Sequence, residues 1–256
     1  MSDNAGTPAS FVGLPSELRN EIYELILWHQ EPIDPWARSS STLQQGLTLG
    51  LFHVNRAVYR EASSLFYSKN CFDLSQAIPG LVVSFLEEIG NNAAYIRHVI
   101  IEFPDFTNLL SGRLVLMPDS KEVLDTIQRR CTSLSSLKSP FDSTRTMELS
   151  LRDLDNHDAA NEALELVDTQ FKAIPSLREV ILEADEVAPS DHIRQRMESY
   201  GWTIDPVQHV EEDSGESLNS FDEDDYGYDH YGNSDDNDDD DYDIDNDSDF
   251  WRRAAD

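Results

Sequence analysis

Residues able to do chemistry are plentiful in this sequence but scattered. Seven histidines (His29, His53, His98, His157, His192, His209 and His230) stand with no two of them four residues apart. None therefore forms the paired-ligand face of a zinc helix, and no H-E-x-x-H, C-x-x-C or G-x-S-x-G occurs. His53 and His98 lie inside apolar stretches and are expected as packed side chains. GLTLG, from Gly46 to Gly50, lacks the third glycine and the Lys-Ser/Thr pair of a phosphate loop and reads as a helix start. Ser135 and Lys138 match S-x-x-K by spacing, without its companion motifs. Glu87-Glu88 and Asp185-Glu186 are adjacent in sequence, so each pair diverges into solvent rather than sharing a proton. Asp241, Asp243, Asp245, Asp247 and Asp249 alternate as in a calcium loop. Yet Asn246 stands where the turning glycine belongs, and Arg252 where the bidentate glutamate belongs. No catalytic residue, metal or cofactor is predicted: the chain reads as a binding protein, not an enzyme.

Charge narrows what could be bound. The 256 residues carry 50 acidic and 19 basic side chains, a net charge of −31. The stretch from Asp205 to Asp256 holds 21 acidic and 2 basic residues and supplies −19 of that total, leaving −12 for the rest. Such a surface repels phosphate backbones and anionic lipid, so neither nucleic acid nor membrane is an expected partner. Cys71 and Cys131, far apart and without ligand spacing, suit a reducing compartment. The opening MSDNAGTPAS has no basic segment followed by an apolar one. IPGLVVSFL, the longest apolar stretch, is far short of the roughly 20 residues of a membrane span. An intracellular chain, cytoplasmic or nuclear, is expected.

The elements follow from periodicity. Residues 1–10 are small and polar, and disorder is expected there. In LPSELRNEIYELIL, Pro15 and Glu17 suit a first helical turn, and Leu18, Ile22, Leu25 and Ile26 fall on one apolar stripe. The loop EPIDPWARSSST follows. A second helix is predicted from about Leu47 to Phe66, with Leu51, Val54, Val58, Ala62, Leu65 and Phe66 recurring at helical spacing and Arg56, Arg60 and Glu61 on the other side. NCFDL reads as a strand. Residues 75–206 then alternate: a helix over Pro79–Ile89 ending at Gly90-Asn91-Asn92, a strand in YIRHVIIEF, and a helix over Ser120–Cys131. A further strand is predicted over Met147–Leu151, then a helix over Ala159–Phe171, a strand in SLREVILEA, a helix over Asp191–Tyr200, and GWTID to close. The fold class is α/β or α+β with a largely parallel sheet.

A weak repeat runs through the second half. Ile96-Arg97-His98-Val99-Ile100-Ile101-Glu102 matches Leu177-Arg178-Glu179-Val180-Ile181-Leu182-Glu183 almost position for position, and Leu134 with Leu137 suggests a degenerate third copy, at spacings of 38 and 43 residues. This resembles irregular leucine-rich-repeat logic, although that repeat is usually shorter, about 20–29 residues. A buried parallel strand would also read this way, and both readings stay open.

Two further features point to protein partners. The segment from 207 to 256 is nearly devoid of aliphatic residues and dense in like charge, so disorder is expected. It reads as a solubilising tail. Its acidic blocks, interleaved with Tyr226, Tyr228, Tyr231 and Tyr242, would alternatively suit basic proteins such as histone tails. Ser220, three residues before Glu223, fits an acid-directed kinase. At the other end, FVGLPSELRNEIYELIL followed by LTLGLFHVNRAVYREASSLFYSKNCFDL resembles the F-box-like domain of filamentous-fungal proteins, over residues 11–74. The shared pattern is L-P-x-E-L-R-x-x-I-Y, V-N-R-x-x-x-x-E-A and F-Y-S-x-N-x-F. The resemblance implies a helical module that packs on the Skp-type adaptor of a cullin–RING ubiquitin ligase, with an unknown target held by the βα region. It would place Leu14, Pro15, Leu18, Ile22, Val54 and Arg56 at or beneath that interface. The long loop from Trp28 to Gly46 departs from the pattern. A scaffold that keeps the fold without the ligase is the other expectation.

Overall fold

The computed structural model describes residues 10–36, 49–108, 114–152, 157–184 and 189–207. The expectations for 1–9, for most of the loop up to Gly46, for Asp185-Glu186 and for the acidic segment after Val207 lie outside these residues.

Two helices open the fold: α1, Ser16–Leu27, and α2, Arg56–Lys69. They run side by side in the same direction. Arg19 meets Glu61 near one end, while Glu24 meets Lys69 and the Leu27 carbonyl meets Asn70 near the other. The second helix starts later than its apolar spacing predicts. Leu49–His53 forms a separate 3-10 turn, and Asn55 then caps α2, its Oδ1 accepting from the amides of Ala57 (2.9 Å) and Val58 (3.0 Å). That satisfies two of the four amides a helix start leaves unpaired.

The remaining elements are β1 (Cys71–Asp73), α3 (Pro79–Glu88), β2 (His98–Ile100), β3 (Phe106–Asn108), β4 (Leu114–Leu116), α4 (Pro118–Arg130), β5 (Ser136–Ser139), α5 (Phe141–Arg152), α6 (His157–Lys172), β6 (Glu179–Ala184), α7 (Asp191–Ser199) and β7 (Thr203–Pro206). Five strands form one sheet in the order β1-β2-β5-β6-β7, every neighbouring pair parallel. β3 and β4 form a separate antiparallel hairpin. The order never doubles back, so each strand lies beside the previous strand of the sheet.

The sequence spacing is visible in the register. Phe72 pairs with Val99, Val99 with Leu137 and Leu137 with Val180. All four side chains are buried and join one apolar cluster that reaches from Tyr23 to Trp202. Met147–Leu151, predicted as a strand, is helical and belongs to α5. Met147 and Leu151 are buried there and Leu149 is exposed. The alternation Met147-Leu149-Leu151 mimics a strand, but the buried pair is four residues apart, one turn of a helix.

Candidate functional site

Arg19 holds the helix pair together. Its Nε donates to Glu61 Oε2 at 2.8 Å and its Nη2 to Oε1 at 2.5 Å, a two-pronged grip on one carboxylate. Nη1 donates to the Leu14 carbonyl at 2.5 Å, so the same guanidinium pins the turn leading into α1 against α2. The Tyr23 hydroxyl donates to Glu61 Oε2 at 3.1 Å. Glu61 thus faces α1, not the solvent side on which its spacing placed it. The Arg19 hydrogen bonds hold its carboxyl below the usual range. Burial, with the Glu61 hydrogen bond adding to it, pushes the Tyr23 hydroxyl up to about 12.

A depressed carboxyl makes a signed prediction. Glu61 stabilises the fold above its unfolded value of about 4.3, and that contribution is lost as pH falls through its lower folded value. Between about pH 6 and pH 3 the melting temperature of the natural chain should fall more steeply than that of Glu61→Gln. Parallel curves would contradict the role given to the pair.

With Arg19, Tyr23 and Leu27 turned inward and Ile26 packed beside them, α1 is apolar on a second side as well. Leu18 and Leu25 are 45% and 85% exposed, and Ile22 between them is half-buried. At ~100° per residue the two stripes are roughly 120° apart. The predicted single stripe therefore splits: Ile26 goes to the core, while Leu18, Ile22 and Leu25 face out. Pro15 is exposed, Leu14 half-buried, and Val54, at the head of α2, is 59% exposed beside exposed Arg56. Because the helices run the same way, Leu14–Leu18 and Val54–Arg56 lie at the same end of the pair.

Asn70 closes the other end. It is fully buried; its Nδ2 donates to the carbonyls of Leu27 (2.8 Å) and Phe66 (2.9 Å), and its Oδ1 accepts from the His29 amide at 2.7 Å. One side chain thereby satisfies the carboxyl ends of both helices. Phe66, Tyr67 and Phe72 pack on one another, with Tyr67 stacked on Phe72 at 5.5 Å between ring centroids. Periodicity did not single out Asn55, Glu61 or Asn70, although each occupies a lettered position of the V-N-R…E-A…N-x-F pattern.

The candidates for chemistry are parted. The Ser135 hydroxyl donates to the Arg97 carbonyl, while Lys138 is held by Glu183 at 2.6 Å. Burial pushes the thiols of Cys71 and Cys131 up to about 11 and about 12, leaving little thiolate at neutral pH. Glu87 reaches toward Arg129 and Arg130. Among the described residues no group of three His, Cys, Asp or Glu side chains is poised to hold a metal, and no helix is long and apolar enough to cross a membrane. A cleft of about 60 Å³ lies past the ends of β1 and β2, between Pro79 and Val82 of α3 and Val123 and Leu124 of α4, with Glu102 and Asp105 lining it. Small-molecule sites run to ~300–1,000 Å³, so this cleft has room for one side chain rather than a cofactor. Set against protein-family models, curated proteins and solved structures, the chain matches none of them.

Proposed function

We propose that this chain is a protein-binding module of the F-box kind, whose α1 docks a Skp-type adaptor while a leucine-rich-repeat-like βα region holds a target for ubiquitin transfer. One observation carries the reading: α1 is fixed on its inner side by Arg19, Tyr23 and Leu27, yet offers Leu18, Ile22 and Leu25 to solvent on its outer side. Fully burying a side chain of this size is worth about 1.5–3 kcal/mol. A stripe of three on a helix already braced from behind is a surface suited to a partner. Leu14, Pro15, Val54 and Arg56 would extend it at the head of the helix pair.

The test is direct binding of the full chain to a purified Skp-type adaptor, measured by biolayer interferometry. Leu18→Asp and Leu25→Asp should each weaken binding at least about tenfold, since a charge in a buried apolar contact costs more than 1.4 kcal/mol. Thermal melts should stay within a few degrees of the natural chain, because both side chains already face water. Absence of binding by the natural chain, or equal binding by both variants, ends the ligase reading and leaves the scaffold.

A further inference from the structure

Parallel sheets are ordinarily covered on both faces. Among the described residues one face is covered here and the other is not. The inward row Phe72, Val99, Leu137, Val180 and Leu182 is buried. The outward residues, placed by the register, are Cys71, His98, Ser136 and Glu179 in one row and Asp73, Ile100, Lys138, Ile181 and Thr203 in the next, with Glu183 beside Asp205 beyond them. All of these are half-exposed or exposed except Ile100, which is 8% exposed yet lies outside the main apolar cluster.

Charge on this face is one-sided. Asp73, Glu179, Glu183 and Asp205 stand against a single ammonium, that of Lys138, which Glu183 (2.6 Å) and Asp205 (3.8 Å) already engage. Glu102, next in the outward alternation after Ile100, continues the acidic edge to the cleft between α3 and α4.

We propose that the uncovered sheet face, from Glu102 across Ile100 and Ile181 to Asp205, binds a basic segment of another protein in which lysine or arginine alternates with aliphatic residues. Ile100 and Ile181 meet the aliphatic positions, and the carboxylates meet the cations. Burial and the neighbouring Asp105 raise Glu102 above the usual carboxyl range, so an incoming cation would relieve a cost already present. The inference names the target side of the proposed receptor but does not require the adaptor.

The experiment titrates the isotope-labelled full chain with a synthetic twelve-residue peptide of alternating lysine and valine, without adaptor, and follows amide shifts residue by residue. Saturable shifts at Ile100, Lys138, Ile181 and Thr203 are expected. Glu179→Lys with Asp205→Lys should raise their midpoint about tenfold, since reversing rim charges turns attraction into repulsion. A control with the same change of net charge elsewhere, Glu122→Lys with Glu198→Lys, should move it less than about twofold. Shifts confined outside the strands, or equal weakening in both double variants, overturn the proposal. Either result leaves adaptor docking on α1 standing, and loss of adaptor docking leaves this one standing.

Discussion

Leu137→Ala should lower the free energy of unfolding by about 3 kcal/mol, within the range for a fully buried leucine. Ile181→Ala, one strand over on the opposite face, should cost less than about 1.5 kcal/mol, because it loses less burial. Leu137 is fully buried between Val99 and Val180 in the central strand, so its truncation leaves a void that packed neighbours on both sides cannot close. Ile181 is half-exposed and its surroundings can adjust. Urea titrations of the two variants would measure the contrast. Equal losses would mean that the sheet is covered on both faces, and the target surface would then not exist.

Asn70→Ala should be nearly as damaging, at about 2–4 kcal/mol, by a different cause. The side chain makes three hydrogen bonds to backbone groups, and removing it strands the Leu27 carbonyl and the His29 amide, while the Phe66 carbonyl keeps the Asn70 backbone amide at 3.3 Å. Buried groups left without a partner cost about 1–3 kcal/mol each, with the sum reduced where water can enter the space vacated. Asn70→Asp keeps the acceptor for His29 but places a carboxyl oxygen against two carbonyls, and it should be destabilised to a similar degree. Calorimetric melts would check both. A loss below about 1 kcal/mol in Asn70→Ala would show that the helix ends hold together without it.

The parallel sheet was legible because its strands carry the strongest local signal in the chain. Spacings of 38 and 43 residues between Val99, Leu137 and Val180 are the pairings of the sheet. The helices α3, α4, α6 and α7 were also close to their predicted bounds, each marked by a proline or a regular apolar stripe. What failed was whatever depended on contacts distant in sequence. Arg19 and Glu61 look like surface charges until α1 and α2 are laid together. Tyr23, a lettered position of the pattern but left out of the apolar stripe, is fully buried and marks which side of α1 is inward. Met147–Leu151 was misread because a five-residue window cannot separate alternation from a helix with one exposed leucine. The β3–β4 hairpin was not predicted. Of the proposed docking residues, Pro15, Leu18, Val54 and Arg56 are exposed and Leu14 and Ile22 half-buried, whereas Ile26, half-buried in the same predicted stripe, packs against the core.

The strand order also leaves the sheet with two unlike margins. Beside β1, the backbone of Ile33 donates to and accepts from Cys71 and Asp73, closing that side. Beside β7, no described strand follows. An open row of amides invites another molecule to add a strand and stack without end. β7 is four residues long, places the carboxylate of Asp205 on the rim, and finishes in Pro206, which has no amide hydrogen to offer. The margin that could seed aggregation is thereby made a poor template, and replacing Asp205 and Pro206 with valine would be the way to make it a good one.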